Sequence, residues 1–560
     1  MAISFPPGLI LVVGALLLPL VKGKAREALV LILPLLTLGA VWMVPDGVAW
    51  STSFLSYTLE PVEATAMGRL FATVFAVMAF AGGLFAVRHA RLLELVSAFA
   101  YAGSAIGVTF AGDLVTLFIF WEMMAVGSTL VIWASDQPDA WGASMRYLLV
   151  HLFGGVVLMF GIAAYVAQTG DVDFTAMQPE GIATWCILIG FLINAGAPPL
   201  SAWIADAYPE ASPSGMVFLS AFTTKTAVYT LLMGFPGAAI LIPVGLYMAV
   251  YGIIYALLEN DMRRILAYSI VNQVGFMVTG VGIGSEMALN GAAAHAFTHI
   301  IYKALLLMSA GSVLLVTGKR KCTELGGLFR TMPFTTIAGG IGALAISSFP
   351  YTSGFISKSL TTQAAADAHL TITWFVLVVA SAGVFLHAGI KFPWFVFFQK
   401  DSGLRPPEPP MNMRVAMGIF AFACIFLGVY PDPLYAILPY PVDYEPYTVA
   451  HLVSQFQLLL FAGLAFFVML PMMKRTETIS LDFDWLYRKI GPAVVGRVTE
   501  ATAAARERTE KRLRSRIDRI AARLFQIHGP HGPLARTWPT GSMVLWVAVL
   551  LGAFLLFYYI

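Results

Sequence analysis

The sequence predicts an all-α polytopic membrane protein with about sixteen transmembrane helices. Of its 560 residues, 59% are hydrophobic and only 12% are charged, whereas soluble domains carry roughly a quarter charged residues. Apolar runs of about 17 to 25 residues recur along the chain, and each is long enough to cross a bilayer as a helix. Several runs enclose an ionisable residue, which is costly at mid-membrane and is seldom kept without a partner or a task.

The predicted spans follow these runs in chain order. The first run lacks a basic start and a small-residue cleavage site, so we expect a span there and not a signal peptide. The spans are expected near residues 5–21, 27–44, 66–87, 93–112, 113–134, 145–167, 183–205, 213–234, 237–258, 265–284, 288–316, 334–360, 372–398, 412–430, 450–473 and 541–559.

The distribution of basic residues predicts the orientation of these spans. With an even number of spans and both termini external, 29 of the 34 lysines and arginines fall in cytoplasmic segments. The opposite orientation would invert the positive-inside rule. We therefore expect a multi-pass protein of the cell inner membrane with both termini on the periplasmic side.

Two predicted spans are interrupted by proline. The seventh contains Asn194–Pro199 and the twelfth contains Ser348–Phe355. Such breaks survive at mid-membrane only where protein or a wet cavity satisfies the freed carbonyl groups. If residues 93–236 and 237–400 form two five-helix units, both breaks fall in the fourth helix of their unit, as in inverted repeats around a transport path. Ordinary proline kinks are the alternative.

The remaining segments complete the predicted organisation. Residues 1–92 and 401–473 hold further transmembrane helices, residues 474–540 a basic amphipathic helix on the cytoplasmic surface, and residues 541–560 an anchoring span. An apolar stripe at helical spacing supports the surface helix; it consists of Leu513, Ile517, Ile520 and Leu524.

Ionisable residues inside the predicted spans are the candidate functional residues. Glu122 lies at mid-span, and Lys225 and Lys358 lie centrally or at a break. A glutamate and a lysine in low dielectric can exchange protonation as their surroundings change, and a buried lysine can carry a proton reversibly. A series of such groups suggests a path for a small cation, most simply H⁺. Structural ion pairs between helices are the alternative.

Two further groups share helix faces. His295, His299 and Lys303 recur at i, i+4 and i+8, and imidazoles with an ordinary pKa of about 6.5 are suited to a proton relay. A metal site is the rival interpretation, although no carboxylate or cysteine is paired with them in sequence. His387 and Lys391 lie one turn apart, where Lys391 either joins the path or extends to the cytoplasmic interface.

Other chemistry lacks a sequence signal. There is no phosphate-binding loop, dinucleotide fingerprint, nucleophile elbow or haem or iron–sulfur ligand set, and the three cysteines are widely separated. We therefore expect no cofactor, no resident metal and no enzymatic activity, with energy supplied by an ion gradient or by partner subunits.

The chain resembles the antiporter-like subunits of respiratory complex I and of Mrp-type multisubunit Na⁺/H⁺ antiporters, over about residues 60 to 400. Five sequence segments carry the resemblance: Phe118–Glu122, Pro198–Glu210, Asp261–Ser269, His295–Leu306 and Ser353–Lys358.

The resemblance implies two inverted five-helix repeats that form half-channels joined by a hydrophilic axis. It implies that Glu122 is the ion-pair glutamate at an interface between subunits and Lys358 the broken-helix lysine at the exit. It places the central axis at Lys225, His295, His299 and Lys303. Asn194 is a departure, because many relatives carry a lysine in the first broken helix. Either Lys225 pairs with Glu122 or the first half-channel works differently.

The leading functional hypothesis is a proton-translocating, D-like component of an Mrp-type cation/proton antiporter that exchanges H⁺ for Na⁺. The expected partners are other membrane subunits, including homologous antiporter-like ones, and the lipid bilayer, but no nucleic acid. One alternative couples the same path to an oxidoreductase or to inorganic-carbon uptake. Another is a non-conducting scaffold.

Overall fold

The computed structural model describes residues 3–472 and 481–560 and consists mainly of helices. The predicted boundary between 473 and 474, with Lys474 and Arg475, lies outside the described residues. The helices of the first part are α1 (Leu9–Leu17), α2 (Lys24–Met43), α3 (Ala66–Ala86), α4 (Leu92–Phe110), α5 (Leu114–Trp133), α6 (Ala140–Thr169), α7 (Ile182–Ala195), α8 (Trp203–Ala207), α9 (Gly215–Leu219) and α10 (Thr223–Gly234).

The chain continues with α11 (Leu241–Leu258), α12 (Met262–Ile283), α13 (Glu286–Thr317), α14 (Pro333–Ile346), α15 (Ser353–Asp367), α16 (Thr371–Val384), α17 (Met411–Val429), α18 (Asp432–Tyr435) and α19 (Val449–Val468). Residues Phe385–Lys391 and Trp394–Phe398 extend α16 as π-helical turns. A separate unit, Trp485–Ile560, contains α20 (Gly491–His528) and α21 (Thr540–Tyr559).

The helices agree with the predicted membrane protein. Within the described residues, 13 helical segments are long and apolar enough to cross a membrane. Three shorter apolar segments, Leu9–Leu20, Ile182–Ala195 and Pro333–Ile346, coincide with the remaining predicted spans. The polytopic helical fold is thus confirmed, while the count of sixteen spans stays a prediction.

A β-hairpin between α2 and α3 is an element that the all-α prediction did not include. Strands β1 (Gly47–Phe54) and β2 (Tyr57–Ala64) pair antiparallel. Trp50, Thr52 and Phe54 in β1 alternate with small or polar residues, a pattern that suits a half-exposed strand. The hairpin is fastened to the helices because the backbone N–H of Glu60 donates to the Asp113 carboxylate at 2.8 Å.

Helix interruptions occur where proline and glycine predict them, and at one further place. The helix pair α7 and α8 is separated by residues 196–202, and α14 and α15 by residues 347–352. Gly196 ends α7 in the left-handed conformation, with φ of 81°, which a residue with a Cβ adopts at a cost. The predicted span 213–234 is also divided, since Ser220–Phe222 separate α9 from α10.

The long helices α12 and α13 form the centre of the fold. Every residue in the most apolar part of α12 is buried, although that helix carries Ser269, Asn272 and Gln273. Helix α13 packs on α12, α14, α15 and α17. Polar side chains at the most buried position of a membrane protein require partners inside the protein, because lipid offers none.

The two ends of the described tail have clear local structure. The Asp482 carboxylate accepts hydrogen bonds from the hydroxyls of Tyr251 and Tyr268, each at 2.6 Å, so residues 481–484 are fastened to α11 and α12. In the separate unit, α20 is one helix of 38 residues, about 57 Å long at 1.5 Å per residue. This confirms a helix for most of the predicted surface segment.

Candidate proton-translocation site

Helix α13 carries the central group of candidate residues on one face. His295, His299 and Lys303 are all fully buried. The Lys303 ammonium donates to the Ser269 hydroxyl oxygen at 2.8 Å and to the Leu266 carbonyl oxygen at 3.4 Å. Both ring nitrogens of His299 lack a hydrogen-bond partner among the described residues. The predicted relay residues therefore line a helix at the centre of the fold.

A hydrogen-bonded series of side chains begins at the backbone of α11 and ends at α15. Asn272 donates to the Ala249 carbonyl oxygen at 2.7 Å, and the Gln273 amide donates to the Asn272 side-chain oxygen. The Gln273 side-chain oxygen lies 3.0 Å from Nε2 of His295. On the other edge of that ring, Nδ1 lies 3.1 Å from the Ser357 hydroxyl. The series joins successive helices through groups that donate and accept hydrogen bonds.

This series also bears on the metal interpretation of the two histidines. Each ring nitrogen of His295 already has a protein partner. The Tyr302 hydroxyl adds a bond of 3.1 Å to the same Gln273 oxygen. Among the described residues there is no group of three or more His, Cys, Asp or Glu side chains placed to hold a metal ion. The geometry favours proton transfer over metal ligation.

Lys225 and Lys358 each donate to a carbonyl oxygen that a helix break has freed. The Lys225 ammonium lies 2.6 Å from the carbonyl oxygen of Ser220, between α9 and α10. The Lys358 ammonium lies 3.0 Å from the carbonyl oxygen of Ile346, the last residue of α14. Terminal carbonyl groups of a helix have no partner within the helix. The breaks thus supply the hydrogen bonds that keep both amines at membrane depth.

These amines act on the same histidine. His299 interacts electrostatically with Lys225, Lys303 and Lys358. It also interacts with His295, whose ring centroid lies 6.2 Å away. The residues predicted for the central axis are therefore brought together by the fold.

Lys391 and His387 extend the group in the other direction. The Lys391 ammonium donates to the carbonyl oxygens of Ala256, Leu257 and Glu259 at 2.5 to 3.2 Å. These are carbonyls at the end of α11, so Lys391 caps that helix. His387 donates from Nδ1 to Gly383 at 2.8 Å, and its Nε2 has no partner among the described residues.

Glu122 lies apart from this axis. It forms no ion pair within residues 3–472 and 481–560, and its Oε1 is buried without a hydrogen-bond partner. A Cβ on Gly155 would collide with that oxygen, so only glycine fits there. Lys225, the partner considered from the sequence, donates to Ser220 and Thr224 instead. The sequence left this pairing open, and the pair is not formed here.

Asn194 lies near the same part of α6. Its Oδ1 is 3.8 Å from the point where a Cβ on Gly154 would stand. Asn194 is fully buried, and both polar atoms of its amide lack partners among the described residues. The break after α7 therefore presents an unpaired amide where Lys358 stands at the other predicted break.

A large polar cavity of about 990 Å³ reaches Lys358. It lies among α15, α16, α19 and the loop before α19. Its ionisable lining residues are Lys358, Asp367, Asp443, Tyr444, Glu445 and His451. The cavity joins the buried lysine to an acidic loop, which suits an aqueous access route for a cation.

Several polar residues of this site were not identified from the sequence. Ser357 and Tyr302 are direct neighbours of predicted residues, and Gln273 and Ser269 are four residues apart on a buried helix. That spacing on α12 was a usable signal. His151 on α6 was also missed, because a lone histidine in an apolar helix has no sequence partner.

Comparison with known proteins places this site in context. The family described as NADH:quinone oxidoreductase/Mrp antiporter, TM, matches residues 111–385. A probable K⁺/H⁺ antiporter component of type A/B from Rhizobium meliloti is 28% identical over 59% of this chain, which spans 36% of that relative. The D component of an Na⁺/H⁺ antiporter from Alkalihalophilus pseudofirmus is 29% identical over 45% of this chain and 55% of that relative.

The fold gives independent support. A chain in the structure of the Mrp complex from Dietzia sp. DQ12-45-1b superposes with a TM-score of 0.68 and 22% identity, over 81% of this chain and all of that one. The matched residues 111–385 contain Glu122, the histidines and lysine of α13, and Lys358. The chain belongs to the NADH:quinone oxidoreductase/Mrp antiporter transmembrane family.

Proposed function

We propose that this chain is the proton-translocating subunit of a multisubunit cation/proton antiporter, similar to the D component of Mrp complexes. The observation that carries the proposal is the buried group of Lys225, His299 and Lys303, whose members interact electrostatically at the centre of the fold. Three ionisable residues at this depth cost several kcal/mol. A proton path gives a reason for keeping them together.

The proposed path continues from this group toward Lys358. His295 is bonded to Ser357, the residue beside Lys358. When Lys303 gains a proton, its charge raises the electrostatic energy of a proton on His299 and favours onward transfer. Each amine thereby controls its neighbour, and protons move by successive changes of charge.

The cavity at Lys358 is the proposed exit. Its lining includes Asp443 and Glu445, and the positive-inside rule puts their loop on the external side. The same rule puts both termini outside and α20 on the cytoplasmic surface. Protons would then leave Lys358 through the cavity toward the periplasm.

The coupled ion and the partners are proposed from the relatives. The names of the two relatives state K⁺/H⁺ and Na⁺/H⁺ antiport, and we propose Na⁺ as the exchanged cation. Both relatives are named as subunits, so we propose that homologous membrane subunits assemble beside this chain. Half-buried Glu122 on α5 would face one of them.

The test is antiport in everted membrane vesicles that contain the complete complex, followed with a pH-sensitive dye. Na⁺ added to wild-type vesicles should collapse the proton gradient, and Glu122→Gln should remove most of this response. Assembly is checked by co-purification, and exposed Glu286→Gln is the matched control. A wild-type complex with no response to Na⁺ or K⁺ would exclude the antiporter.

An oxidoreductase-coupled proton pump is the second candidate, because the family description covers NADH:quinone oxidoreductase. In that case the same residues would carry protons, but the gradient would respond to an electron donor and not to a monovalent cation. A scaffold without transport would show neither response, and Lys303→Ala would leave both assembly and vesicle behaviour unchanged.

A further inference from the structure

The first predicted repeat contains buried polar groups around two consecutive glycines of α6. Glu122 Oε1 lies against Gly155, and the Asn194 amide lies near Gly154. Neither group has a hydrogen-bond partner among the described residues. A buried polar atom without a partner costs about 1–3 kcal/mol. The arrangement therefore calls for a bound proton, water or other polar group.

His151 is the ionisable residue on this face of α6. It precedes Gly155 by four residues, so the two positions lie one above the other on the helix. It is 1% exposed. Its Nδ1 donates to the Tyr147 carbonyl oxygen at 2.9 Å, while Nε2 is buried with no partner among the described residues. The ring thus offers an open lone pair at Nε2.

Aromatic packing holds the ring in that orientation. The His151 ring stacks on Tyr147 with centroids 3.9 Å apart, and meets Trp203 edge-on at 4.6 Å. The Tyr147 hydroxyl bonds to the Thr223 hydroxyl at 3.2 Å, and Thr223 is two residues before Lys225. His151 is therefore linked through Tyr147 to the helix that carries Lys225.

The surrounding charges leave Glu122 as the natural exchange partner. On the helices packed against α6, the ionisable residues are Glu122 on α5, Cys186 on α7 and Asp206 on α8. Asp206 is already bound by Arg146 at 2.7 Å. In the predicted repeats α6 corresponds to α13, so a histidine would occupy the third helix of both units.

We propose that His151 is a proton-carrying residue of the first half-channel, exchanging a proton with Glu122 in place of a lysine at position 194. The proton leaves the Glu122 carboxylic acid and binds Nε2 of His151, directly or through a bridging water. A carboxylate and an imidazolium result, and the bond from Nδ1 to Tyr147 is retained. Return of the proton restores the neutral pair.

This inference rests on the proposed transport function, and the experiment separates the two. In vesicles with the complete complex, His151→Gln should lower the initial rate of cation-linked proton movement about tenfold or more. His89→Gln is the matched control, since His89 also has two buried ring nitrogens without partners among the described residues, but lies in the loop after α3. If wild type transports and His151→Gln transports equally well, the inference is wrong and the proposed function stands.

A compensating variant tests the exchange itself. Asn194→Lys added to His151→Gln should restore a large part of the lost rate, because it returns a titratable partner beside Glu122. Failure to restore transport in an assembled double variant would overturn the exchange with Glu122. If His151→Gln does not assemble, Asn194→Lys in the wild-type chain decides: it should shift the pH dependence of transport to higher pH, and an unchanged pH profile would contradict the proposal.

Discussion

The two predicted repeats handle their buried polar groups in opposite ways. In residues 237–400, His295 is bonded on both sides and the bonds continue through Gln273 to a backbone carbonyl. In residues 93–236, one oxygen of Glu122, the amide of Asn194 and one nitrogen of His151 have no partner among the described residues. The second repeat is arranged to hold its groups in place, whereas the first leaves its groups open to a water or an ion.

Loss of the central lysine tests this comparison with the largest expected effect. Lys303→Gln should abolish cation-linked proton movement, because no titratable amine then stands one turn beyond His299. The measurement is dye fluorescence in everted vesicles. Lys319→Gln is the control, since that lysine is exposed and pairs with Glu324 at 3.0 Å. Undiminished transport in Lys303→Gln would show that the second repeat is only structural.

Removing the shared acceptor should damage the second repeat in both stability and transport. Gln273→Leu leaves His295 and the Tyr302 hydroxyl without their bonds to this side chain, at a cost of about 1–3 kcal/mol for each unpaired group. We expect a lower melting temperature of the purified complex and a rate reduced about tenfold. The exposed Gln178→Leu serves as the control. A variant with normal stability and rate would mean that the bonded series has no role.

Filling the glycine position should impair the first repeat with a smaller effect on stability. Gly155→Ala places a methyl group against the Glu122 Oε1 position, so the carboxylate must move. Transport should fall severalfold while the complex still assembles. Gly340→Ala is the matched control, because no heavy atom of a neighbouring element lies within 4 Å of that Cβ. Equal rates in both variants would show that the position of Glu122 is unimportant.

The smallest expected effect concerns the hairpin, which packs on α4 and α5 of the first repeat. Burial and the nearby Asp173 raise the pKa of Glu63, and burial, Asp173 and Glu63 raise the pKa of Glu60. Because the folded hairpin binds these protons more tightly than an open one, it should gain stability as pH falls from about 7 to 5 and lose it as pH rises.

Hydrogen exchange measures this change. Amides of the hairpin, after correction for the intrinsic pH dependence of exchange, should be slightly better protected at the lower pH. The double variant Glu60→Gln/Glu63→Gln should remove the difference. Protection that is the same at both pH values in the wild-type chain would contradict the prediction.

Much of the fold followed from the sequence because lipid imposes simple rules. A run of apolar residues must become a helix, and Pro198 and Pro350 had to interrupt the helices that contain them. The break before Lys225 was not predicted, since Ser220, Ala221 and Phe222 contain no proline or glycine. The hairpin was missed because its strands are short and mostly polar, and look like an external loop.

The candidate site was only partly readable. Charged residues in apolar spans identify themselves by their cost, so Glu122, Lys303 and Lys358 were found. Gln273 and His151 are defined by three-dimensional partners, or by their absence, and neither property exists in a linear sequence. The separation of Glu122 from Lys225 likewise depends on how α5, α6 and α10 pack.

The bonded series that starts at Ala249 has a consequence for the direction of proton movement. A backbone carbonyl can only accept, so Asn272 must donate to it, and this fixes the orientation of the Asn272 and then of the Gln273 amide. Gln273 consequently offers its oxygen to His295, and the neutral imidazole is held as the Nε2–H tautomer. The vacant lone pair then lies at Nδ1, on the side of Ser357. The relay therefore has a built-in polarity, with a loading edge toward α15 that is set by amides on the neighbouring helix, and the ¹⁵N shifts of His295 would report that tautomer directly.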